Sequence, residues 1–241
     1  MNKLVVVPIF GRVTSTFFFT VSTLKMIEHI GTLDNYLDFT NTEYGDGEFR
    51  NLLEDIKFKF ADFDNSSFKN CNLTNVTFEN CNFIHCDFTE VRQWNCSYKN
   101  CKFGNTNFYN STMGTMVEYF DCQFQKSKLY GRSFSFGYNS KYNRCSFEKC
   151  IINSTWILSV TFKDCVFSSR LTNIRFSGEK EAKVSTEMRK LEFPATFLNC
   201  NLSNSIFEDL EIMDGAILME TLLPNQHFER FNNDRIYYPK N

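Results

Sequence analysis

From Phe58 onward the large apolar residues of this chain recur every five positions: Phe58, Phe63, Phe68, Leu73, Phe78, Phe83, Phe88, then Gln93, Tyr98, Phe103, Phe108 and Met113. Eleven of these twelve are large and apolar, and two residues before each lies a small or β-branched one, such as Cys71, Val76, Cys81, Cys86 and Thr106. A helix repeats at 3.6 and a lone strand at 2, so neither gives this period. A coil of brief, equal sides does, with one large and one small residue turned inward on each side. Stacked coils then hydrogen-bond as parallel strands and bury both columns. The twenty-residue register stacks Phe63, Phe83 and Phe103 in one column and Phe68, Phe88 and Phe108 in another.

The period resumes at Phe124, Leu129 and Phe134, again from Tyr142 to Phe167, and again at Phe197, Leu202, Phe207, Ile212, Ile217 and Leu222. Between these runs, residues 114–123 and 135–141 are expected as loops or bulges. The pattern resembles the pentapeptide repeat family, whose central residue is Leu or Phe and whose residue two before it is small. The resemblance covers residues 56–170 and 195–223, with the final coil at 197–223, and implies an all-β, right-handed quadrilateral parallel β-helix of nearly seven coils. Residues 1–55 are expected to cap the first coil with short helices in "TLKMIEHIGTL" and "EFRNLLEDI". Residues 171–196 are expected as a charged excursion loop, and residues 224–241 as a tail that caps the far end or joins two subunits.

Composition sharpens this picture. The 241 residues include 28 Phe and ten Cys. Every cysteine (Cys71, Cys81, Cys86, Cys96, Cys101, Cys122, Cys145, Cys150, Cys165 and Cys200) lies two before a central residue. That phase reads as buried thiols rather than zinc ligands or a disulfide framework. Asparagine recurs two after the centre (Asn65, Asn70, Asn75, Asn80, Asn95, Asn100, Asn105, Asn110), where a corner demands a left-handed residue. His85 also falls on a corner, without a nucleophile nearby in sequence. Ser-His-Asp order, a phosphate loop and paired carboxylates do not stand out, so an enzyme, a cofactor and a metal site are not expected.

Charge excludes little. The formal net charge is −2, which gives no general pull toward nucleic acid or a membrane surface. Residues 116–178 carry nine basic against four acidic groups, whereas residues 197–222 carry five acids and no base. The resemblance implies a binding role: some bacterial members bind DNA gyrase or topoisomerase IV by imitating DNA and protect it from inhibitors. The broader expectation is a rigid protein-interaction scaffold with a protein partner and no small-molecule substrate. Candidate contacts are Arg170, Arg175, Lys183, Met188, Arg189 and Lys190 in the excursion, with Glu208, Asp209, Glu211 and Asp214 at the acidic end. Dimerisation through the C-terminal end is a further expectation. Seven Asn-X-Ser/Thr sequons (Asn65, Asn72, Asn75, Asn95, Asn110, Asn153, Asn201) are read as accidental in a chain so rich in Asn, Ser and Thr, although an extracellular or lumenal recognition domain, the third reading, would fit them. Pro8 and Arg12 interrupt the apolar N-terminus, so the expected compartment is the cytoplasm.

Overall fold

A five-residue period keeps its large residue inside only if the chain turns a corner between every pair of short strands. In the computed structural model it does so. The structure describes residues 27–30, 52–178, 194–231 and 235–240, which form a parallel β-solenoid of about seven turns. Most corners sit two residues after a centre with φ between about +50° and +61°, from Asp55 and Asn65 through His85 and Asn95 to Glu220. Asparagine suits these positions twice over. It tolerates the left-handed region, and its side chain bonds its counterpart one coil away: Asn95 Nδ2 donates to Asn75 Oδ1 at 2.8 Å, and Asn75 Nδ2 to Asp55 Oδ1 at 2.9 Å.

On the first face the strands pair Phe58 with Phe78, Phe78 with Tyr98, Tyr98 with Tyr119, Tyr119 with Tyr142 and Tyr142 with Phe162. Their rings follow the strand spacing, with centroids 4.7–5.2 Å apart. The second face carries Phe63, Phe83, Phe103, Phe124, Phe147 and Phe167, stacked at 4.5–5.0 Å with interplanar angles of 4–8°. Neighbouring columns meet edge to face, as at Phe78 and Phe83 (5.2 Å, 78°). Each ring is thus stacked along the rod and edge-on across it, which combines two favourable aromatic geometries.

All ten cysteines are buried and unbridged. Six of them form one file at the corner between these two faces. The Sγ atoms of Cys81, Cys101, Cys122, Cys145, Cys165 and Cys200 donate to the carbonyls of Phe58, Phe78, Tyr98, Tyr119, Tyr142 and Phe162, at 3.4–3.6 Å. Burial also pushes the thiols elsewhere up, Cys86 to about 12 and Cys96 and Cys150 to about 11. They are packing groups held in the neutral form.

The fourth face stacks Leu53, Leu73 and Gln93, and Gln93 breaks its apolar column yet is only 4% exposed. Tyrosines answer it: Tyr98 Oη donates to Gln93 Oε1 at 2.7 Å, and Gln93 Nε2 donates to Tyr119 Oη at 3.3 Å. Replacing Gln93 with Leu strips the Tyr98 hydroxyl of its partner and is expected to destabilise the fold by about 1–3 kcal/mol. Adding Tyr98→Phe to that variant should recover most of the loss. Urea midpoints for the three proteins check this.

Several expectations change. Ile27–Ile30, within the first segment expected as helix, is a strand paired with Ile56–Lys59. Leu52–Glu54, within the second, is a strand paired with Asn72–Thr74. The corner-and-strand rhythm simply continues into the edge, where parallel backbone pairing satisfies more groups than a helix would. The excursion also begins later than expected, because Val166–Phe176 is one strand. Its register against Ser146–Ile157 shifts by one between Glu148 and Ile151, so the step from Phe167 to Leu171 is four and the period looks lost. In the last coil Phe197 pairs with Leu218 rather than Ile217. Gly215, at φ +90°, accommodates the extra residue, which leaves Ile217 and Leu222 exposed while Leu218 and Leu223 pack on the core. The tail strand Arg235–Tyr238 folds back antiparallel on Ile206–Ile212 and buries Tyr238 against Phe207.

Candidate functional site

The outward positions are mostly small, polar and paired with the coil above or below. The fourth face departs from that. Two insertions there push the backbone out of register. Thr112 hydrogen-bonds to Val91 O, and Thr115 to Gln93 O, so Met113 and Gly114 together oppose Gln93 as a β-bulge. One coil later, residues 131–139 carry the larger insertion, and Tyr138 N bonds Gly114 O at 2.9 Å. Gly114 (φ +104°) and Gly137 (φ +97°) lie against each other so closely that a Cβ on Gly137 would sit 1.9 Å from Gly114 O. Only glycine fits both the left-handed backbone and that approach.

The result is a cleft of about 530 Å³ on the face of the rod. Its floor is Thr112, Thr115 and Ser135, and Tyr138, Arg132 and Trp156 stand around it. Trp156 is 60% exposed. Arg175 lies over the indole, 4.8 Å from the ring centroid, and is itself held by Glu211 at 3.0 Å. Trp156 lines the cleft and Arg175 does not, so the cation covers one face of the indole without itself occupying the cleft. A clamped, exposed tryptophan is a preorganised platform, since its orientation is fixed before anything binds.

The residues singled out from sequence fall elsewhere. Arg170 pairs with Glu208 at 3.7 Å, and Glu211 receives both Arg175 and Arg235 at 3.0 Å. Asp209 accepts the Tyr237 hydroxyl at 2.7 Å, which raises that phenol's pKa. Asp214 is half-buried beside Gly178, whose Cβ would meet the Asp214 carbonyl. The acidic end is therefore largely answered by the chain's own arginines and tail. Lys183, Met188, Arg189 and Lys190 lie outside the described residues. His85 is exposed on its corner, and no group of three or more His, Cys, Asp or Glu converges among the described residues. The cleft was missed because the five-residue count registers only inward positions. The available signals were the glycines at both phase breaks and a tryptophan at an outward position.

The family described as the SV2A/B/C luminal domain matches residues 38–129. That match overturns the expected cytoplasmic location and points to a lumenal one. No curated protein matches the chain. Among solved structures, a trypsin-treated variant of QnrB1, a plasmid-mediated fluoroquinolone resistance protein, is 22% identical, with 82% of this chain and 92% of that chain covered and a TM-score of 0.38. HetL, a pentapeptide repeat protein involved in heterocyst differentiation regulation in the cyanobacterium Nostoc, is 11% identical, with coverage of 73% and 86% and a TM-score of 0.22. These values carry no argument about function.

Proposed function

We propose that this chain, a pentapeptide repeat protein, is a non-catalytic recognition scaffold of a lumenal compartment, with the fourth-face cleft as its recognition surface. The cleft carries the reading. Here an insertion opens a concave surface that brings together an exposed aromatic platform and Arg132, a cation with no ion pair among the described residues. Rigid coils suit a scaffold, because little conformational freedom is lost when a ligand settles on a surface already fixed. Imitation of DNA has less support: it needs sustained negative potential along the rod, and Arg170, Arg175 and Arg235 offset the acidic end.

Glycan addition tests the compartment. Asn65 is exposed on its corner, whereas the amide groups of Asn75 and Asn95 donate within the corner ladder. Chain recovered from its native cells should lose mass on treatment with peptide N-glycosidase, and Asn65→Gln should remove at least part of that loss. Chain that is unglycosylated and digested by protease in cells with only the plasma membrane permeabilised would refute the lumenal placement.

A further inference from the structure

We propose that the fourth-face cleft binds a carboxylated oligosaccharide, with Trp156 stacking on a pyranose ring and Arg132 holding the carboxylate; this rests on reading the cleft as the recognition surface. Sugars present two kinds of surface, an apolar patch of C–H groups and a rim of hydroxyls that both donate and accept. The cleft offers a counterpart to each. The exposed indole of Trp156 supplies a flat, polarisable platform, one side of which is held by Arg175. Thr112, Thr115 and Ser135 supply hydroxyls that donate and accept by rotation. Among the described residues none of these three makes a side-chain hydrogen bond to the protein, so their capacity is unspent.

Charge narrows the class. Among the described residues, Arg132 is the one charged side chain lining the cleft. It is exposed and has no ion pair among the described residues, so its planar fork is available for a carboxylate. A neutral sugar would leave it idle. An acidic peptide would use it, but would gain little from a hydroxyl floor that offers no pocket for alternate side chains. The cleft volume of about 530 Å³ falls in the range of small-ligand sites and accommodates two or three sugar units rather than a folded partner.

Fluorescence provides the test, because the chain has two tryptophans, Trp94 and Trp156. In a Trp94→Phe background, titration with hexagalacturonate should give a saturable change in Trp156 emission, while maltohexaose and hexaglutamate bind at least about tenfold more weakly. Calorimetry on the intact sequence should then show Trp156→Ala losing about tenfold or more in affinity for hexagalacturonate. Arg132→Gln should reduce that affinity to the level of the neutral sugar. Trp156 is solvent-exposed, so these variants should keep the wild-type circular dichroism; Trp156→Leu serves if the alanine variant does not fold. Equal or tighter binding of hexaglutamate, undiminished binding by Trp156→Ala, or no saturable response to any probe overturns the proposal. None of these outcomes bears on the compartment, which the glycan and protease experiment reads separately.

Discussion

Phe83→Ala should destabilise the rod by about 3–5 kcal/mol, among the largest losses any single truncation here can cause. Phe83 is fully buried. It stacks between Phe63 at 5.0 Å and Phe103 at 4.8 Å, and meets Phe78 and Phe88 edge-on at 5.2 and 5.5 Å. Truncation removes these contacts, together with those to Phe68 at 6.0 Å and Tyr98 at 6.2 Å, and leaves a ring-sized void. Collapse into that void is resisted, because the strands above and below are pinned by backbone hydrogen bonds such as Phe63 N to Asn82 O and Lys102 N to Cys81 O. The expectation therefore sits toward the upper end of the range. Lys99→Ala, on an exposed outward position, should change stability by no more than about 0.5 kcal/mol. Denaturant midpoints at matched m-values compare the two. Near-wild-type stability for Phe83→Ala would mean that the interior column is not packed as described.

Gly137→Ala is expected to cost on the order of 2–4 kcal/mol, combining a left-handed backbone with a forced overlap. Its Cβ would meet Gly114 O at 1.9 Å and Ser140 Oγ at 2.6 Å. The first is backbone, which moves only by unstacking two coils. Gly104→Ala is the matched contrast: its nearest neighbour is Ile84 Cδ1 at 2.9 Å, the tip of a flexible side chain, and its φ is not positive. It should cost less than about 1 kcal/mol. If thermal melts place the two variants together, the glycine contact between the insertions is not what shapes the cleft.

The inward half of this molecule was legible because its physics is repetitive. Every interior residue meets the same constraint one coil on, so Phe63, Phe83 and Phe103 announce one another, and cysteine at the small position reads as packing. Single-residue irregularities were harder to see. The bulge between Glu148 and Ile151 shortens one step to four, which made the strand through Leu171 and Phe176 look like the start of a loop. The extra residue near Gly215 lengthens another step, which turned Ile217 inward on paper and outward in the fold. Such slips cost a solenoid little where a corner absorbs them, so the apolar count alone does not mark them. The cleft depends on backbone shape at two insertions, and an inward count carries no information about the surface they produce. Location was the other miss: an interrupted apolar N-terminus says little about compartment, whereas the luminal-domain match over residues 38–129 points to a lumen.

The file of six thiols from Cys81 to Cys200 has a consequence for how the molecule comes into being. In the finished rod each sulfur is buried, so an oxidant in solution has no access to it. In the unwound chain successive members of the file are only 20 to 35 residues apart, and the cost of closing a loop rises slowly with its length, so nothing in the spacing protects them from cross-linking. Winding, by contrast, needs only contacts between adjacent coils, which form progressively along the chain. In a lumen that oxidises thiols, maturation becomes a race between coiling and random cross-linking, decided by timing alone. A chain that winds first would keep its thiols reduced, as they are in the structure, so the redox state of the protein would record which process came first.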